Sequence, residues 1–194
     1  MLGDGTLPES PHPLTSALIA AVAPGSRVLV IGIGGGRHLA TLAAAGITVD
    51  AIEAEPARAA VWPASFPSGF DGALATHALL HGRPGDIAAT LAAVRARLRA
   101  GAPFHFTLGS RRDPRYGRGT RLEEATWAPD DGDEAGVAHT YFDERGARAL
   151  LASWELLSLE ERDASATAGA WAHASGTAGL VHWFVRARRR SRAQ

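Results

Sequence analysis

The sequence predicts an α/β fold, a doubly wound and mostly parallel sheet in a single domain, and three observations predict it. Uninterrupted apolar runs of strand length, such as "RVLVIGI", have the pattern of parallel strands covered on both faces. They alternate with alanine- and leucine-rich stretches of helical periodicity that stop at glycine. The turn after the first run, "GIGGG", places glycines at 32, 34 and 36, where a strand passes into a helix.

Pro11 and Pro13 punctuate the start, after which "LTSALIAAVAPG" reads as a short helix with Thr15 or Ser16 near its N-cap and Pro24-Gly25 ending it. The first strand begins near Arg27. "GRHLATLAAAG" is a helix with Leu39, Leu42 and Ala43 at helical spacing, capped by Gly46, and "ITVDAIEA" is the second strand. Strand, helix and strand in so short a stretch form a βαβ unit, whose right-handed crossover sets the two strands parallel. A further strand is expected near 71–76, a helix over "GDIAATLAAVRARLRAG", and a strand over "APFHFTLGS". "DERGARALLASW" reads as a helix, and "WELLSLEERD" with "GLVHWFVRARR" as a closing antiparallel pair. Residues 110–140, rich in Arg, Gly, Asp and Glu with weak periodicity, are expected to be a long loop or lid. Residues 1–13 read as an N-terminal extension and 187–194 as a solvated basic tail.

Composition narrows the function. At 194 residues, with 46% apolar and 21% charged residues, the chain can bury a core. A formal net charge of zero argues against nucleic acid as a partner. The sequence contains no cysteine and no lysine, which excludes disulfides, thiolate metal sites, lysine Schiff bases and the phosphate loop that ends in Gly-Lys. No apolar run reaches membrane-spanning length, so a cytoplasmic protein with no membrane partner is expected.

The spacing Gly32-x-Gly34-x-Gly36 is followed by Arg37, where a dinucleotide fingerprint needs glycine. Glu53, 21 residues after Gly32, stands where a carboxylate can accept hydrogen bonds from ribose hydroxyls. "VLVIGIGGGRHLATLAAAGITVDAIEAEP" resembles the first motif of the class I S-adenosylmethionine-dependent methyltransferases. "FDGALATHALLHG", "LAAVRARLRAGAPFHFTL" and "HTYFDERGARALLASWELLSLEERD" are similar to the blocks that follow it, so the resemblance spans roughly residues 14–188. It implies a Rossmann-like sheet ordered 3-2-1-4-5-7-6. It also implies S-adenosylmethionine as cofactor and methyl transfer to a small-molecule substrate. By position, it places Gly32, Gly34 and Gly36 beside the methionine part of the cofactor, Glu53 on the ribose, and Thr76 and His77 at the methyl-transfer centre. Val30 stands where the family often carries an acid. Asp71 comes only 18 positions after Glu53, too few for a helix and a strand with their connections. Strand three is therefore expected to be missing, with Trp62, Phe66 or Phe70 left to stack on the adenine.

Methyl transfer needs a general base only when the acceptor carries a proton, and imidazole suits that task near neutral pH. His77, His139 and Tyr141 are the catalytic candidates. His77 and His81 in "HALLH" could share one helix face, but two histidines fall short of a metal site, so no metal is expected. Arg111, Arg112, Arg115, Arg118 and Arg121 either recognise an acidic substrate or pair with the acids at 123–134, which read as solvating. A second reading is a degenerate protein of this fold acting through protein contacts, with an exposed strand-two edge available for a homo-oligomer. A nicotinamide enzyme is the third.

Overall fold

Four of the five residues of β1 (Arg27–Ile31) are buried, as its unbroken apolar run requires. The computed structural model describes residues 11–33, 36–53, 62, 65–164, 167 and 179–191. Before β1 comes α1 (Pro13–Ile19), and after it α2 (Arg37–Ala44), β2 (Thr48–Ile52), β3 (Gly72–Ala75), α3 (Pro84–Arg97) and β4 (Pro103–Ser110). Then follow β5 (Thr120–Glu123), β6 (Thr126–Ala128), β7 (His139–Phe142), α4 (Glu144–Leu150), β8 (Trp154–Asp163) and β9 (Val181–Arg189).

β2, β1, β3 and β4 run parallel in that spatial order. β9 lies antiparallel on β4, and β8 antiparallel on β9. This is the expected order with its third strand left out. Among the described residues β2 is the edge of the sheet; residues 54–61, 63 and 64, in the interval of strand three, lie outside them. Alternating residues feed two apolar layers. Leu29, Phe104 and Phe106 pack with Ile87, Leu91 and Val94 of α3 on one face, and Val28, Val30 and Leu74 pack with Leu18 and Leu42 on the other.

β4 outruns β3, and the extra length decides where the site lies. Gly109 pairs with His182 of β9 on one edge and with Tyr141 of β7 on the other, so β7 fills the edge that β3 leaves open. A Cβ at Gly109 would lie 2.5 Å from the Thr140 carbonyl oxygen, so this close approach requires glycine.

Two expectations are corrected. Helix α1 starts earlier than Thr15: His12 is the N-cap, its ring nitrogen accepting the Leu14 N–H, with Pro13 in the first turn. Residues 110–140 are not one long loop. Strands β5 and β6 pair antiparallel, and β6 pairs with β7, making a small sheet that hangs from the end of β4. Strands of four and three residues are too short to show a period.

Candidate active site

The chain leaves β1 for β2 on one side and returns to β3 on the other, so the crossovers diverge at the carboxyl end of β1. Open α/β sheets bind ligands in the crevice such a switch creates. Gly32 and Gly36 line the turn there with φ of 83° and 78°. The left-handed region costs other residues about 1–2 kcal/mol. A Cβ at Gly36 would meet nothing within 4 Å, so the demand is on the backbone rather than on space. Gly34 lies outside the described residues. Glu53 immediately follows β2 and is exposed.

Thr76 and His77 follow β3. The Thr76 hydroxyl meets His38 Nε2 at 2.7 Å, while His38 Nδ1 meets the Thr15 hydroxyl at 2.9 Å. One buried imidazole thus ties α1 and α2 to the end of β3. Sequence reasoning missed His38, because nothing in its spacing marks Thr15 and Thr76 as partners. Among the described residues His77 is the non-glycine residue with positive φ, 55°, and its N–H donates to the Thr107 hydroxyl at 2.7 Å. Its ring packs beside those of His182 and His12, at centroid distances of 4.9 and 5.3 Å. Backbone held in a sparsely populated region is concentrated at functional positions.

His139 and Tyr141 reach the same end of the sheet on β7, which leads directly into α4. His139 Nδ1 lies 2.8 Å from the Val137 carbonyl and Nε2 lies 3.0 Å from Glu134 Oε2. Glu134 Oε1 in turn lies 3.1 Å from His81 Nε2. Burial alone would raise the Glu134 carboxyl, but its contacts to His139 and His81 together outweigh burial and hold it well below the usual carboxylate range. Burial, reinforced by Asp113 and Glu134 against the opposing charge of Arg115, pushes the Tyr141 phenol up. Tyr141 therefore keeps its proton at neutral pH. Behind it, the fully buried Asp113 carboxylate accepts from Arg115 Nε and Nη2 at 2.9 and 3.0 Å, and Arg115 Nη2 also lies 3.2 Å from His182 Nε2. Burial first, then Arg115, lowers His182 to about 3, so its ring is neutral.

Several expected groupings do not form. "HALLH" is a turn, not a helix, so His77 and His81 do not share a helical face, and His81 instead bridges to His139. Trp62 and Phe66 pack on each other and under the Arg97 guanidinium, and Phe70 is buried beside Arg27. Arg97 ends α3 and Arg27 begins β1, so these rings lie at the amino ends of the strands, opposite the crevice. Adenine stacking on them is ruled out by that placement. Arg111, Arg112 and Arg115 pair with Asp143, Glu161 and Asp113, only partly with the 123–134 acids. Glu134 is not a solvating acid.

No family model matches the sequence, and no curated protein matches it. Solved structures do. A methyltransferase from Methanosarcina mazei described as S-adenosylmethionine-dependent superposes with a TM-score of 0.68 at 18% identity, over 94% of this chain and 99% of that one. The 1,6-didemethyltoxoflavin-N1-methyltransferase of Burkholderia thailandensis, solved with its substrate and S-adenosylhomocysteine, gives 0.65 at 20% identity, over 92% and 77%. The fold is that of the class I S-adenosylmethionine-dependent methyltransferases. The cyclase SpnF also matches, at 0.58 and 16% identity over 91% and 80%, so this methyltransferase fold also serves other chemistry. Among the described residues no helix is long and apolar enough to cross a membrane.

Proposed function

We propose that the protein is an S-adenosylmethionine-dependent methyltransferase acting on a small molecule. The observation that carries this reading is the convergence of Gly32, Gly36, Glu53, Thr76 and His77 on one switch-point crevice of a methyltransferase fold. The residues present fit such a cofactor in two respects. The left-handed glycine turn keeps side chains away from the loop, and Glu53 offers an exposed carboxylate to ribose hydroxyls, with Gly34 completing the loop by sequence. They depart in one: Val30 is buried and apolar, so the cofactor's amino group would meet no carboxylate there.

When bound, the cofactor supplies a sulfonium-activated methyl group. The protein's own part is positioning and exclusion of water, which suffice for an in-line displacement that quenches charge. Glu53 would hold the ribose, and Thr76, fixed by His38, would close the floor of the crevice. His77 is our candidate to take a proton from an acceptor that carries one. Tyr141 orients the acceptor as a protonated donor. His139 has both ring nitrogens engaged, and so positions rather than removes a proton.

Titration calorimetry with S-adenosylmethionine and S-adenosylhomocysteine tests this reading. Micromolar binding is expected, weakened about 10- to 100-fold in Glu53→Ala, the loss of one or two charge-assisted hydrogen bonds. No heat and no thermal stabilisation at millimolar ligand would instead favour the second reading, a protein of this fold acting through contacts such as the β2 edge.

A further inference from the structure

Among the described residues one group of three side chains combines ligating atoms from distant parts of the chain: His81, Glu134 and His139. We propose that these three bind a divalent transition-metal ion of the zinc type, with the fourth position left to solvent or substrate. The inference does not rest on methyl transfer being the activity.

Ligand chemistry is the first support. The Val137 carbonyl can only accept, so the 2.8 Å contact puts a hydrogen on His139 Nδ1 and turns Nε2 towards Glu134 Oε2, 3.0 Å away. A ring nitrogen and a carboxylate oxygen this close share a cation, either a proton or a metal ion. A backbone carbonyl orienting the remote nitrogen is also the usual outer partner of a metal-bound imidazole.

Geometry is the second. Neighbouring ligand atoms around tetrahedral zinc stand about 3.3 Å apart, from bonds of about 2.0–2.1 Å. His139 Nε2 lies 3.0 Å from Glu134 Oε2 and His81 Nε2 3.1 Å from Oε1 of the same carboxylate, each close to that edge, and with one ligand atom from each residue the set lies within 4.8 Å. Two imidazoles and one carboxylate form a three-ligand set of the kind that leaves a coordination position open. His139 is 1% exposed, whereas His81 and Glu134 are about a quarter exposed, so an ion has a route in from their side.

The backbone is the third. Thr140 N donates to Leu80 O at 2.8 Å and Gly82 N to Ala138 O at 2.7 Å, clamping the His81 and His139 segments together. Gly136 N to Pro129 O and Val137 N to Glu134 O fix the turn that presents the carboxylate. These bonds hold the three positions whatever their side chains bind.

The test is equilibrium dialysis of the full chain, stripped with chelator, against zinc, with cobalt substitution as a spectroscopic readout. One equivalent bound with Kd at or below about 10 μM is expected, with cobalt absorption of the tetrahedral type. His81→Ala and Glu134→Gln, both at partly exposed positions and both checked for unchanged circular dichroism, should each weaken binding about 100-fold. No stoichiometric binding by the wild type would overturn the proposal, leaving a proton as the bridging cation. Binding retained in both variants would also overturn it, by placing the ion elsewhere.

Discussion

Replacing Asp113 with alanine should be the most damaging single change on the β4–β7 side of the crevice. Its carboxylate is fully buried and accepts four hydrogen bonds, from Arg115 N, Nε and Nη2 and from Val181 N, so it ties the turn after β4 to the start of β9. Removing one partner of a buried ion pair costs about 3–5 kcal/mol because the other charge is stranded. The Arg115 side chain is 29% exposed, so water recovers part of that, and we expect about 3 kcal/mol. For a chain of this length the thermal midpoint should fall by about 6–12 °C. Urea unfolding of Asp113→Ala, Arg115→Ala and the double variant measures it. The double variant should lose less than the sum of the singles, since it strands no charge. Arg112→Ala is the control: its pair with Glu161 leaves the guanidinium 78% exposed, and less than about 1 kcal/mol should be lost. A loss below about 1 kcal/mol in Asp113→Ala, or strict additivity in the double variant, would refute the argument.

Three further predictions use other parts of the molecule. Burial lowers His105 from 6.5 to about 4, outweighing its bond to the Leu14 carbonyl, so the folded state favours the neutral ring. That contribution is fully present above pH 6.5 and is lost as pH falls towards 4, up to about 3 kcal/mol, and the slope of stability against pH should flatten there in His105→Leu. An equal slope in wild type and variant would contradict it. Gly109→Ala forces β7 away from β4, so it should cost about 2 kcal/mol or more in urea unfolding and loosen the His139 position. Gly36→Ala should cost only the backbone term, about 1 kcal/mol, because its Cβ enters open space; a loss as large as that of Gly109→Ala would mean the space is not open.

The fold was legible because its signals are local. The apolar runs of β1 and β4, the periodicity of α3 and the glycines after α2 and α3 each depend on a few adjacent residues. The glycine turn and Glu53 were legible for the same reason. What the sequence hid is set by distant pairings. Glu134 looked like one of several solvating acids because its partners are 53 and 5 residues away and on different strands or turns. His38 carries no motif, yet it bonds residues 23 and 38 positions away. Trp62 and Phe66 were aromatic and in the right interval, but only the position of Arg97 says which end of the sheet they cover. Strands β5 to β7 borrow stability from the protruding end of β4, a tertiary effect with no periodic signature.

The placement of β9 between β4 and β8 has a consequence for how the chain reaches its native state. Every pairing of β4 along Pro103–Gly109 on that edge waits for residues 181–189, some eighty positions later in sequence. Until they arrive, Phe104, Phe106 and Leu108 sit on a strand with one unsatisfied edge, open to association with other chains. Closing so distant a contact is entropically slow, so refolding should be limited by the docking of this one strand rather than by the βαβ unit that carries the glycine turn.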